Sequence, residues 1–122
     1  MIHGVGIDLI EIDRIRDWYN KRPSMALKIL TDDEIEIFNN ISLEDRKVEF
    51  LAGRFAVKEA FTKAMGTGIG KDYGFHSVNC LPDSKGKPNI KCEGFITHVS
   101  IAHTQSYAEA FVVVEVDNSK QE

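Results

Sequence analysis

Glu59 and Lys63 stand one helical turn apart in the run Arg-Phe-Ala-Val-Lys-Glu-Ala-Phe-Thr-Lys-Ala-Met-Gly-Thr-Gly-Ile-Gly at residues 54–70. Such a pair offers a ligand one negative and one positive contact. Wound at the α-helical period, Phe50, Val57, Phe61, Ala64 and Met65 form an apolar stripe. Glu59 and Lys63 fall on a different face, above Ala52 and Ala56, where small side chains leave room for a ligand or another chain. The simpler reading is an i,i+4 pair on a solvated face, worth ~0.2–0.5 kcal/mol.

Asp8 is the second candidate. Val5, Ile7 and Leu9 alternate with Gly4, Gly6 and Asp8, the period of a strand with one buried face. The glycines are expected to leave the opposite face bare, with Asp8 as its first functional side chain at the strand's C-terminal end. A carboxylate there can cap the following helix or hold a cation. His103 closes a later strand whose inward residues are Val99 and Ile101, so it is either a turn residue or a catalytic group. His98 has no evident partner and reads as structural.

These residues need elements to position them. The first strand leads into a helix over 11–20 with Ile12, Ile15 and Tyr19 inward. Pro23 suits the first turn of a short second helix. Thr31 and Glu34 have the spacing of a capping box that opens a third helix toward Phe38, and a long helix runs over 43–65. Strands are expected at 77–81, 89–92, 97–102 and 108–116, joined in pairs by turn-rich segments. Helices first and antiparallel strands later predict an α+β fold. One domain over 1–117 and a polar, frayed tail at 118–122 complete the organisation.

The glycines after Met65 do not make a phosphate-binding P-loop. That loop precedes a helix and ends Gly-Lys-Ser/Thr, whereas here the glycines follow a helix and Asp72 follows Lys71. Gly66 reads as a C-cap. Gly68, lacking a side chain, lets an extended ligand lie against the backbone.

Composition narrows the class. The 122 residues suit one compact domain, and 43% hydrophobic with 28% charged residues is ordinary for a globular protein. A net charge of −4 argues against a nucleic-acid binder. No apolar run reaches the ~18 residues that span a bilayer, and the N-terminus does not read as a signal peptide. Two cysteines, Cys80 and Cys92, in a chain read this way are expected to stay reduced in a cytoplasm.

Three segments together resemble one family. Gly-Ile-Asp-Leu-Ile-Glu-Ile-Asp-Arg-Ile near the start, Phe-Leu-Ala-Gly-Arg-Phe-Ala-Val-Lys-Glu-Ala-Phe in the middle and Val-Ser-Ile-Ala-His-Thr near the end resemble the holo-acyl-carrier-protein synthases, the small type of 4′-phosphopantetheinyl transferase. The segments come in the family's order and spacing over nearly the whole chain. The resemblance implies the transferase-like α+β fold and transfer of 4′-phosphopantetheine from coenzyme A to a serine of apo acyl carrier protein, releasing adenosine 3′,5′-bisphosphate. It implies Mg²⁺ held by Asp8 and Glu59, with Lys63 beside them as a third catalytic group. Either a water on the metal or Glu59 would take the serine proton.

By the same resemblance, coenzyme A would meet Arg54, Lys63, Gly66, Gly68, Pro88, His103 and Thr104. The acyl carrier protein would meet Arg14, Trp18, Lys21 and Arg22 on the first helix, whose default state is solvated pairing such as Arg14 with Asp17. The family motif usually reads Ser-x-Ser-His, and Ala102 here removes the second hydroxyl. A homotrimer with sites between subunits is also implied. Phe111 and Val113 support it, since they make the last strand apolar on both faces. The rival readings are a non-catalytic carrier-binding module of the same fold and a transferase for another carrier domain.

Overall fold

A computed structural model describes residues 1–120. Strand β1 (Ile2–Glu11) leads directly into α1 (Ile12–Lys21), followed by α2 (Met25–Ile29), α3 (Asp32–Asn39) and the long α4 (Glu44–Met65). A one-turn 3₁₀ helix (Phe75–Ser77) precedes β2 (Cys80–Pro82), β3 (Pro88–Ile90), β4 (Phe95–His103) and β5 (Tyr107–Val116). The expected α+β order is observed. Of the tail, Asn118–Lys120 form a further 3₁₀ turn, and the last two residues lie outside the described ones. The sheet order is β1-β5-β4, all antiparallel, with β2 and β3 as a separate hairpin.

Local chemistry accounts for most element ends. The capping box forms as expected: the Glu34 amide donates to the Thr31 hydroxyl and the Thr31 amide to the Glu34 carboxylate. Gly66 ends α4 at φ 83°, a left-handed C-cap. Two boundaries differ from expectation. Pro23 lies outside α2, in the turn before it, where its carbonyl accepts the Ala26 amide at 3.2 Å. Ser77 belongs to a 3₁₀ turn, so pairing begins only at Cys80.

The larger correction concerns β1. Its expected inward residues Val5, Ile7 and Leu9 are 52%, 53% and 59% exposed. The glycine side is the one that packs. A Cβ added to Gly4 would fall 1.8 Å from the Ala64 carbonyl oxygen, and one on Gly6 would fall 1.8 Å from that of Ala60. Strand and helix thus meet backbone to backbone, which only glycine permits. Ala52 and Ala56 share the helix face of Ala60 and are fully buried. They bring the layers together and do not open room for a ligand.

Helix α4 is the axis of the fold. Beyond the expected stripe, of which Phe50 and Met65 are only half-buried, Leu51, Lys58 and Thr62 are also buried. The sheet covers one side, and α1, α2 and α3 pack on others. Lys58 and Glu34 are each 0% exposed and paired at 2.6 Å. The ammonium also donates to the Ile29 and Phe75 carbonyls, both at 2.8 Å, while Glu34 Oε2 accepts the Cys80 amide at 2.9 Å. Burial pulls the Lys58 pKa down and Glu34 opposes that pull. With all three ammonium hydrogens used, the pair ties α2, α3, α4, the 3₁₀ turn and β2 together.

Lys58→Met with Glu34 retained strands a buried carboxylate and should cost about 3–5 kcal/mol in urea unfolding. Gly6→Ala should leave no natively packed protein, read as loss of the near-ultraviolet circular dichroism. A mild effect at either position would contradict the packing described.

Candidate active site

Asp8 projects from the helix-facing side of β1, three residues before the strand ends. It does not cap α1, whose N-cap Glu11 makes no side-chain cap bond. Instead Lys63 Nζ donates to Asp8 Oδ1 and to the Ile7 carbonyl, both at 3.2 Å. Lys63 has therefore turned from the i,i+4 pairing with Glu59 toward the strand. Glu59 stands beside them, half-buried. Burial raises its pKa most, Asp8 raises it further, and Lys63 opposes both. Gly66 and Gly68 follow at the end of this helix at φ 83° and 66°, with no heavy atom within 4 Å of an added Cβ.

No cluster of three or more His, Cys, Asp or Glu suited to a metal occurs among the described residues. Mg²⁺ does not require one, since it typically takes one or two protein carboxylates plus waters and substrate phosphates. The residues fit such an ion. Asp8 raises the pKa of Glu59, a mutual repulsion of carboxylates that a cation between them would relieve.

Arg54, Pro88 and His103 form a second group along β4. Arg54 is nearly buried, with Nε donating to the Cys80 carbonyl at 3.0 Å and its guanidinium 4.5 Å over the Phe50 ring. His103 Nδ1 faces Glu49 Oε2 at 3.4 Å. A cavity of ≈ 520 Å³ is lined by Asn40, Arg46, Glu49, Arg54 and His103 among others. An adjoining cleft of ≈ 390 Å³ is lined by Arg54, Lys87, Pro88, Ser100 and His103. The Thr104 hydroxyl accepts the Ser106 and Tyr107 amides and so shapes the β4–β5 turn. Ala102 pairs with Glu109 on the outward parity of β4, away from the helix. The hydroxyl it lacks would lie on that outer face.

The two groups stay apart within one chain. Asp8 and Ile101 both pair with Ala110, from opposite edges of the sheet, which separates them by about 10 Å. On α4, Arg54 and Glu59 are five residues apart, about 140° round the axis, and Arg54 and Lys63 are about 180° apart. Glu49, Arg46 and Lys87 were not foreseen as lining residues. The period of the long helix places Glu49 one turn before Gly53, but nothing in the sequence says that β4 crosses there.

Arg14, Trp18, Lys21 and Arg22 are all exposed on or just after α1. The ion pairs of this helix among the described residues belong to Arg16, with Asp45 at 3.2 Å and Asp13 at 3.7 Å, not to Arg14 and Asp17. Trp18 packs edge-on to Phe55 at 6.3 Å, and Phe55 stacks on Phe75 at 5.7 Å. His98, read as structural, pairs with Glu115 at 2.6 Å. Cys80 and Cys92 are free thiols, and no helix among the described residues is long and apolar enough to cross a membrane.

The chain and its α+β fold have counterparts in known proteins. The family model of the 4′-phosphopantetheinyl transferase superfamily matches residues 4–114. A holo-[acyl-carrier-protein] synthase of Staphylococcus aureus is 58% identical over 115 residues, 94% of this chain and 97% of that one. The crystal structure of a holo-(acyl-carrier-protein) synthase from Bacillus anthracis in complex with CoA (3′,5′-ADP) superposes with a TM-score of 0.88 at 42% identity, covering 96% of this chain and 99% of the other. That of the Helicobacter pylori synthase in complex with coenzyme A gives 0.80 at 29% identity, covering 91% and 99%. The chain belongs to the 4′-phosphopantetheinyl transferase superfamily.

The raised pKa of Glu59 has a testable sign. The folded chain binds this proton more readily than the unfolded chain does. The stabilisation from the neutral carboxyl is complete below the ordinary carboxylate value of 4.5 and is lost as pH rises through the higher folded value. Glu59→Gln should therefore melt above wild type at neutral pH in divalent-free buffer, with the gap closing near pH ~4. A Tm below wild type at neutral pH would contradict the electrostatics given.

Proposed function

We propose that this chain transfers 4′-phosphopantetheine from coenzyme A to a serine of apo acyl carrier protein. The observation that carries the reading is the convergence of Asp8, Glu59 and Lys63 from β1 and α4 in a member of this superfamily. In the reaction the serine oxygen bonds to the β-phosphorus as its proton passes to Glu59 or a water, the bond to the bridging oxygen breaks, and adenosine 3′,5′-bisphosphate leaves. Stabilising the charge on the phosphoryl oxygens is the main task of such a site. Lys63 brings one positive charge. Asp8 and Glu59 are the residues that would hold Mg²⁺, which when bound supplies further neutralisation of the pyrophosphate.

The second group supplies the remaining contacts to coenzyme A through Arg54, Pro88, His103 and the turn at Thr104, with Gly66 and Gly68 admitting the chain of the ligand. Because Arg54 and Lys63 point to opposite sides of α4, one ligand meets both only where two copies of the chain adjoin. The outward face of the sheet offers the means: Val5, Ile7, Leu9 and Phe111 are exposed side by side, an apolar patch of the kind that marks an interface. A homotrimer, the number coming from the family resemblance, places its sites between subunits. Residues 1–117 act as one domain of it, and the free thiols suit a cytoplasmic location.

The carrier docks on α1. Acyl carrier proteins are acidic, so Arg14, Lys21 and Arg22 steer the encounter, and Trp18 on Phe55 gives an apolar anchor. Incubation with coenzyme A, Mg²⁺ and apo acyl carrier protein should raise the carrier's mass by one phosphopantetheine. No gain would leave the non-catalytic binding module, and a gain only on another carrier would reassign the substrate. Asp8→Ala and Glu59→Ala should each cut turnover on the order of 10²–10³-fold while Mg²⁺ ceases to raise their melting temperatures.

Arg14→Glu should raise the apparent KM for the carrier and flatten its salt dependence, leaving the KM for coenzyme A unchanged. Refolding inactive Glu59→Ala together with inactive His103→Ala should restore part of the activity if the two residues serve one site from different chains. A monomeric mass for active protein in light scattering would remove the trimer.

A further inference from the structure

Ile101 of strand β4 lies over Gly53 of α4, where an added Cβ would lie 3.5 Å from Ile101 Cγ2. One turn earlier on the helix is Glu49, and two residues later on the strand is His103. Four helical residues advance about 6 Å and two strand residues about 6.6 Å, so the two side chains reach the same level. Glu49 Oε2 stands 3.4 Å from His103 Nδ1, with side chains 29% and 47% exposed.

The surroundings make that carboxylate unexpected. The charged groups facing His103 are Arg46, Glu49 and Arg54 from α4 and Lys87 from the β2–β3 turn. β5 presents only Ala108 opposite it, and the neighbouring Thr104 does not titrate. Three cations and one carboxylate therefore share the walls of two adjoining cavities. A bare carboxylate would repel an anionic ligand there, but one engaged with an imidazole serves it by orienting the ring.

We propose that Glu49 is a positioning residue for His103: its carboxylate, 3.4 Å from Nδ1, holds the ring so that Nε2 is turned to the phosphate of a ligand in these cavities. The proposal rests on the reading of this flank as part of the coenzyme A site. It assigns Glu49 no contact with the ligand. What Glu49 determines is which nitrogen faces the ligand.

The test is calorimetry of coenzyme A binding to the intact protein and its variants. Glu49→Gln should bind coenzyme A about tenfold more weakly than wild type, although it removes a negative charge from the cavity wall, and be rescued in part by Glu49→Asp. In a His103→Ala background, adding Glu49→Gln should change nothing. Equal or tighter binding by Glu49→Gln than by wild type would overturn the proposal while leaving the site reading intact. Unchanged coenzyme A affinity in His103→Ala would overturn the site reading, and the proposal with it. Circular dichroism of each variant separates these outcomes from misfolding.

Discussion

The contact on which the rest of this structure depends is the direct approach of β1 to the backbone of α4 at Gly4 and Gly6. Any side chain at these positions would meet the carbonyl oxygens of Ala64 and Ala60. The closeness has two consequences at once. It brings Asp8, two residues beyond Gly6 on the same side of the strand, within reach of Lys63 and next to Glu59. It also turns Val5, Ile7 and Leu9 to the outer face of the sheet. One packing decision thus assembles a charged site and leaves an apolar surface exposed.

A layer built that tightly has little tolerance for movement of α4, and the opposite side of the helix is pinned by the Lys58–Glu34 pair. Burying two charges is costly, and hydrophobic residues of similar volume often serve stability as well. Here the pair is fully bonded. Its hydrogen bonds reach a helix end, a 3₁₀ turn and a strand amide. That gives the helix a defined rotation about its axis, and the rotation decides where the next residue, Glu59, points.

The same rotation divides the charged groups between two sides. Carboxylates and Lys63 lie toward the β1 edge, while Arg54 and His103 with their cavities lie toward the β4 edge. Mutual repulsion of Asp8 and Glu59 marks the first as a place that gains from a cation. The surplus of arginine and lysine around His103 marks the second as a place that gains from an anion. A pyrophosphate with its counter-ion asks for both. The separation within one chain and the exposed sheet face therefore belong to a single argument for adjoining subunits.

Much of this was legible in the sequence because it is local. The capping box at Thr31, the Gly66 cap, the long helix ending at Met65 and the later antiparallel strands depend on neighbours a few residues away, and they fold as the spacing predicts. Asp8, Glu59, Lys63 and His103 were legible as candidates from their residue types and from three family-like segments. Which face of β1 is buried was not legible, because alternation tells only that two faces differ. The choice fell to the glycines, since backbone contact with a helix distant in sequence outweighed burial of three apolar side chains. Lys58 was equally hidden: a lysine in a helix reads as exposed until four other elements close over it. Residue type and spacing determined which groups could act, and long-range packing decided which of them meet.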